Sequence, residues 1–287
     1  MNLQQIYPIA FNLIVLLVSF IVLFKFAKIT PTKQGFFCND VEIRYPAVEK
    51  ETVPPILMTI LLFVPALAII IISETIAAFL TQTSTVKRAL AIVKGAISTI
   101  VNLFIGVSIV SLITEIIKST VGELRPNFID VCKPDWDKLS CSSDPMHYVS
   151  EPFCTITDEL TLMDLRLSFP SGHSSLSAFM TWTIGIYIMS QYKLFSQTHP
   201  QTIIIKRCGI IITLAFIMLG IFISASRVAD HRHHLHDVIT GYILGVVVAI
   251  YFSYKWMGCS ISTKNEDEQN CSGNEGTREE DHNDSKI

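Results

Sequence analysis

Between positions 226 and 237 the chain reads Ser226-Arg227-Val228-Ala229-Asp230-His231-Arg232-His233-His234-Leu235-His236-Asp237. Four histidines, two arginines and two aspartates fall within twelve residues, and apolar runs long enough to cross a bilayer flank them. Charge at the mouth of a membrane helix is costly unless it is paired, solvated or put to use. The spacing points to a use. His233 and Asp237 are four residues apart, so on a helix they share a face. A carboxylate there holds one imidazole nitrogen as N–H and leaves the other bare, as a nucleophile or base. Arg227 adds a planar fork of donors suited to phosphate, and Ser226 reads as a positioning residue. A metal site is the rival reading of His231, His233, His234 and His236. On a helix these four scatter around the axis, and the stretch lacks the histidine pair of His-Glu-x-x-His. No metal or other cofactor is expected.

Two further stretches carry chemistry. One is Lys118-Ser119-Thr120-Val121-Gly122-Glu123-Leu124-Arg125-Pro126. Lys118 and Arg125 share a helical face if the helix persists, and Pro126 marks a boundary. Two basic residues complementing a helix C-terminus is the plainer reading. The other is Ser168-Phe169-Pro170-Ser171-Gly172-His173. Pro170 suits a first helical turn. The N–H groups of Ser171, Gly172 and His173 would then point outward unpaired, as an anion site. Gly172 lets a ligand approach the backbone, and His173 brings a titratable group.

The elements that must position these groups are membrane spans. Of the 287 residues 50% are hydrophobic and only 16% charged, which indicates a polytopic membrane protein. A net charge of −3 argues against a nucleic-acid partner. Apolar runs at 9–29, 55–80, 89–117, 171–189, 208–225 and 234–257 predict an all-α fold of six transmembrane helices. The run at 171–189 is the weakest, since it opens with Ser, Gly and His. Residues 1–262 form one membrane domain with a long polar loop at 118–169. Residues 263–287 read as an acidic, disordered tail.

Six spans put both termini on one side and the loops 30–53, 118–169 and 226–233 on the other. Lys and Arg divide almost evenly between the sides, so charge bias gives no orientation. Cysteines do. Cys38, Cys132, Cys141 and Cys154 all lie in the loops, which fits disulfides on an exoplasmic or lumenal face. Cys208 and Cys259 read as buried thiols near the inner span ends. The sequons at Asn270 and Asn283 fall in a tail that this topology leaves cytoplasmic and unglycosylated. Parity then brings all three chemical stretches to the same face: the ends of spans three and five, and the starts of spans four and six. Two histidines, three cations, a carboxylate and a helix N-terminus meet there. That set suits a tetrahedral oxyanion, with phosphate the obvious candidate.

In this order Lys-x6-Arg-Pro (Lys118, Arg125, Pro126), Pro-Ser-Gly-His (Pro170, Ser171, Gly172, His173) and Ser-Arg-x5-His-x3-Asp (Ser226, Arg227, His233, Asp237) resemble the three-part signature of the type 2 phosphatidic acid phosphatases. Gly35 to Asp40, Tyr45-Pro46 and Asp130 to Trp136 extend the likeness to the animal lipid phosphate phosphatases, over roughly residues 8 to 258. There are departures. The long loop has no glycosylation sequon, and His231, Leu235 and His236 stand where family members often carry aromatic and small residues.

The resemblance implies a two-step phosphoryl transfer. His233 attacks phosphorus, Asp237 orients it, and His173 serves as acid and then base. Lys118, Arg125, Arg227, Ser171 and the Gly172 N–H hold the phosphoryl oxygens. Pro126, Pro170 and Ser226 position these groups. The substrates would be membrane lipid phosphates: phosphatidate, lysophosphatidate, sphingosine 1-phosphate or ceramide 1-phosphate. The enzyme would sit in the plasma membrane with its site exoplasmic, internal membranes being the alternative. Whether it forms a homo-oligomer stays open. A lipid headgroup phosphotransferase and a catalytically silent lipid-binding protein are the competing readings. A transporter fits less well, because the charges lie at one face and transport sites lie near the midplane. Gly241 and Gly245, spaced small-xxx-small, are expected to let helices pack closely.

Overall fold

The computed structural model describes residues 14–254 apart from 20, 23–29, 83, 140, 142–143 and 199–202. Most of the expected first span therefore lies outside the described residues, although 14–19 and 21–22 are helical. The tail at 263–287, Cys259, Asn270 and Asn283 also lie outside them.

Five long helices carry the fold: α1 (Pro55–Thr81), α2 (Thr85–Val121), α5 (Gly172–Thr198), α6 (Ile203–Ala229) and α7 (Leu235–Phe252). Between α2 and α5 run two short ones, α3 (Phe128–Cys132) and α4 (Glu159–Asp164). Pro55 at the start of α1 needs no N–H partner there. Gly122, left-handed at φ 69°, ends α2, and its backbone N–H closes on Lys118 O. At 37 residues α2 is about 55 Å long, more than ~30 Å of hydrocarbon requires. Its last turn, with Lys118, therefore has length to leave the apolar layer.

Four of the long helices are long and apolar enough to cross a membrane. The expected count of six is not reached among the described residues, and α5 is the instructive case. It is the centre of the bundle, packed on α6, α7, α2 and α1. Ala178, Phe179, Met180 and Ile184 on it are fully buried, and so are Ser174, Ser175, Ser177, Thr181 and Thr183. Its low apolarity comes from those hydroxyls, several of which bond back to carbonyls of their own helix: Thr181 Oγ1 donates to Ser177 O at 2.8 Å and Ser177 Oγ to Ser174 O at 3.2 Å. A helix surrounded by other helices need not be oily, because lipid never touches it. Those at the rim are: Ile56, Ile60, Val64 and Ile72 on α1, and Ile211, Leu214 and Met218 on α6, are exposed, the surface a bilayer would cover.

Gly241 and Gly245 do what their spacing promised. A Cβ at Gly241 would strike the backbone of Ser171, and one at Gly245 would strike Ser175 O and Ala178. The glycines let α7 lie directly on α5. Cys208 departs from its expected burial. It is exposed, because its place on α6 faces away from the bundle.

The polar loops fold into a cap with its own apolar core, made by Phe36, Cys38, Ile43, Leu124, Phe128, Cys132, Leu139, Val149 and Leu165. A two-residue strand β1 (Phe36–Phe37) pairs antiparallel with β2 (Tyr148–Val149). The four loop cysteines form two disulfides, Cys38–Cys141 and Cys132–Cys154.

Candidate active site

The end of α2 and the cap place the first two cations. Lys118 is buried, and its Nζ donates to Leu167 O at 2.8 Å. Arg125 does not share a helix with Lys118, since α2 stops at Val121. A left-handed Gly122 turns the chain, and a side chain there would collide with Thr32 O. Arg125 reaches the same region from the cap. Its Nε donates to Asp164 O at 2.7 Å, Nη2 to Asp164 Oδ1 at 2.6 Å and Nη1 to Arg232 O at 3.2 Å. Pro126 O accepts from Tyr45 N at 3.0 Å, which anchors the first loop beside it.

The start of α5 supplies the next group. The helix begins at Gly172, so Pro170 and Ser171 precede it rather than forming its first turn. The Ser171 N–H is not free: it donates to Asp237 O at 3.1 Å and ties α5 to α7. Gly172 and His173 keep first-turn amides, which have no carbonyl one turn back. A Cβ on Gly172 would stand 3.7 Å from Lys118 Cε and 3.9 Å from Thr114 Cγ2. Those are ordinary contact distances, so the fold does not forbid a side chain; the bare backbone leaves room for a ligand. His173 Nε2 is buried and has no hydrogen-bond partner among the described residues. The charges acting on it are those of Arg227, Lys118, Arg125 and Arg232, all cationic.

His233 and Asp237 are not one helical turn apart on a common helix. His234 caps α7, and His233 lies in the turn before it. The turn is built by Arg227 O, which accepts from Arg232 N at 3.1 Å and His233 N at 3.3 Å. His233 Nδ1 nevertheless faces Asp237 Oδ2 at 3.6 Å, slightly beyond hydrogen-bond reach. Asp237 is fully buried and locked. Oδ2 accepts from Ser168 Oγ at 2.6 Å and from His234 N at 2.9 Å, a carboxylate closing the first turn of its own helix. Burial holds the His233 imidazole well below its usual range; Arg125 and Lys118 push the same way, against Asp237. His233 is therefore neutral near pH 7, with an unprotonated nitrogen. Burial also lowers Arg125, to about 10, which leaves it charged.

Arg227 at the end of α6 is 1% exposed. Its Nη1 donates to Val53 O at 3.0 Å and it pairs with Glu51 at 3.2 Å and Asp230 at 3.6 Å. Ser226 turns its hydroxyl back to Ile223 O at 2.7 Å, so it serves the end of α6. Of the four histidines, His231 stacks on Tyr45 and His233 faces Asp237 from the turn, while His234 and His236 stack on each other.

Several groups at the site were not singled out from the sequence. Asp164 binds both Arg125 and Arg232; Glu51 binds both Arg227 and Arg232. These carboxylates come from distant loops and have no spacing that marks them. Ser168 had a signal, its place directly ahead of Pro170-Ser171-Gly172-His173. Together the site offers a neutral buried imidazole backed by a carboxylate, a second imidazole whose Nε2 has no hydrogen-bond partner among the described residues, three buried cations and a helix N-terminus. Such a set can bind a phosphoryl group and exchange its substituent.

Residues 99–259 match the family model of the PAP2 superfamily. Phospholipid phosphatase 1 of Rattus norvegicus is 31% identical over 227 residues, which is 77% of this chain and 74% of the relative. Phospholipid phosphatase 2 of Bos taurus is 29% identical over 226 residues, 77% of this chain and 72% of the relative. No solved structure matches the chain. The chain belongs to the PAP2 superfamily and, with its apolar helices, is an integral membrane protein.

Proposed function

We propose that this protein hydrolyses phosphomonoesters of membrane lipids, with phosphatidate, lysophosphatidate, sphingosine 1-phosphate and ceramide 1-phosphate as the substrate class. The observation that carries the reading is the buried His233 facing Asp237 at 3.6 Å among Lys118, Arg125 and Arg227. His233 Nε2 attacks phosphorus and the bond to the lipid oxygen breaks. His173, which takes up a proton when the anionic phosphate settles among the cations, gives that proton to the departing oxygen. Water then attacks the phosphohistidine, His173 takes its proton, and phosphate leaves with His233 restored. Asp237 stabilises the positive imidazole, and the contact of 3.6 Å shortens as charge develops. Lys118, Arg125, Arg227 and the Gly172 amide neutralise the equatorial oxygens, so no metal is required in the step. The carboxylates Glu51 and Asp164 hold Arg227 and Arg125 in place until phosphate replaces them, while Lys118 is held by Leu167 O.

Two disulfides in the cap support an exoplasmic site with cytoplasmic termini, and the plasma membrane is the natural address. The relatives' names, phospholipid phosphatase 1 and 2, support the substrate class. The test is phosphate release from phosphatidic acid in detergent micelles with excess EDTA, wild type beside His233→Ala. Release by the wild type alone is expected. Release by both removes His233 from the reaction. Release by neither, with both folded, points to transfer onto a lipid acceptor or to silent binding.

A further inference from the structure

His234 and His236 stack with ring centroids 5.2 Å apart and face two carboxylates from different parts of the chain. One is Glu123, in the turn after α2. The other is Asp237. His236 Nε2 lies 2.8 Å from Glu123 Oε1 and 3.1 Å from Asp237 Oδ1; His234 Nδ1 lies 3.7 Å from Glu123 Oε1 and 3.4 Å from Asp237 Oδ2. One donor atom from each of the four residues falls within 4.8 Å of the others. Four ligands at zinc distances of ~2.0–2.1 Å stand about 3.3 Å apart along the edges of a tetrahedron. The four contacts, from 2.8 to 3.7 Å, lie around that value but involve both Asp237 oxygens, and with one atom per residue the separations reach up to 4.8 Å, so the side chains must draw in slightly to close on an ion.

Hydrogen bonds join His236 Nε2 to Glu123 Oε1 and His234 Nδ1 to Asp237 Oδ2, but they do not account for the whole set. His236 Nε2 carries at most one proton, yet it faces two carboxylate oxygens. Asp237 Oδ1 is buried and has no hydrogen bond among the described residues, though its residue is fully enclosed. A buried carboxylate oxygen left without a donor is costly and is aimed into the cluster. His236 is the way in, with 54% of its side chain exposed, against 25% for Glu123, 11% for His234 and none for Asp237.

We infer that Glu123, His234, His236 and Asp237 form a binding site for a divalent cation of the zinc type, and that its occupation switches off the neighbouring reaction. Two imidazoles with two carboxylates favour zinc or cobalt over calcium or magnesium, which take oxygen ligands. A cation on Asp237 draws off the negative charge that His233 needs as it becomes positive. The ion is an inhibitor here, not a participant. The inhibitory half rests on the phosphatase reading above; the binding half does not.

The test uses tag-free, detergent-solubilised full-length protein titrated with Co2+, followed by visible absorption. A tetrahedral Co2+ spectrum saturating at one ion per chain is expected, displaced by Zn2+. His236→Ala and, separately, Glu123→Gln should weaken binding at least tenfold. In EDTA, His236→Ala should keep wild-type phosphate release, and added Zn2+ should inhibit the wild type but not the variant. No Co2+ spectrum in the wild type, or an undiminished one in both variants, overturns the site. Bound ion with undiminished phosphate release overturns the switch. If the wild type releases no phosphate in EDTA, the phosphatase reading fails, while the Co2+ titration still decides the site.

Discussion

In the bundle, α7 meets α5 through Gly241 and Gly245, and buried serines and threonines of α5 bond within their own helix. In the cap, a small apolar core is held by two disulfides and by short contacts between segments more than a hundred residues apart, such as Cys38 with Cys141. The difference follows from the solvent. Lipid offers no hydrophobic drive between helices, so close packing of small residues supplies the cohesion. The cap is made of polar loops around a small core, where cross-links add the stability that a short apolar core supplies sparingly. The two regions also divide the site. The helix ends bring Lys118, His173, Arg227 and Asp237; the cap brings Arg125 and the counter-ions Asp164 and Glu51. On this division, changes at the helix ends are expected to act on rate, and changes in the cap on stability and on the affinity for phosphate.

His233→Ala is the strongest probe: turnover should fall by about 10⁴ or more, as on loss of a nucleophile, with the melting temperature close to wild type. A comparable loss of folding would mean that His233 holds the turn together instead. Asp237→Asn comes next. We expect kcat lower by ~10²–10⁴, with KM little changed, measured by steady-state phosphate release. A change confined to KM would move Asp237 from the reaction to binding. On the cap side, replacing Cys132 and Cys154 by Ser removes a cross-link spanning 22 residues, worth about 3 kcal/mol in the chain-entropy account. Hydrogen exchange over residues 128–165 should rise while the bundle helices stay protected; exchange rising equally in α5 and α7 would show one cooperative unit. Gly245→Leu should cost about 1–3 kcal/mol by overpacking the α5–α7 contact, read as a lower melting temperature. The smallest effect is in pH. Because burial lowers the His233 pKa in the folded state, the unfolded chain takes up a proton as pH falls below about 6.5 that the folded chain refuses. The contribution is therefore fully present above that pH and is lost on acidification. Melting temperature in EDTA should fall from pH 7 to pH 5, and less so in His233→Ala. An equal fall in both would assign the acid sensitivity elsewhere.

The parity of the apolar runs predicted that Lys118, Arg125, His173, Arg227, His233 and Asp237 would come to one face, because the span ends that carry them emerge on the same side. Motif spacing failed for local geometry. It gave Lys118 and Arg125 a common face if the helix persisted, and His233 and Asp237 a common face if both were helical; in both cases the chain turns between them, at Gly122 and at the His234 cap. Hydropathy found α1, α2, α6 and α7, yet it ranked α5 weakest, since a run scale cannot tell lipid-facing polarity from buried polarity. The loop at 118–169 looked merely polar because its apolar residues are scattered and lack a period.

Composition and the spacing of apolar runs determined, without any structure, an all-α membrane protein, and three short motifs marked the residues proposed to handle phosphate. These are properties of order along the chain, set by bilayer thickness and side-chain chemistry. Tertiary structure alone decided which cysteines pair, which carboxylates hold the cations, and that Ser171 N binds Asp237 O. It also decided that Glu123 reaches His236 across more than a hundred residues. Such contacts depend on where the turns send the chain in three dimensions, and no local spacing encodes them.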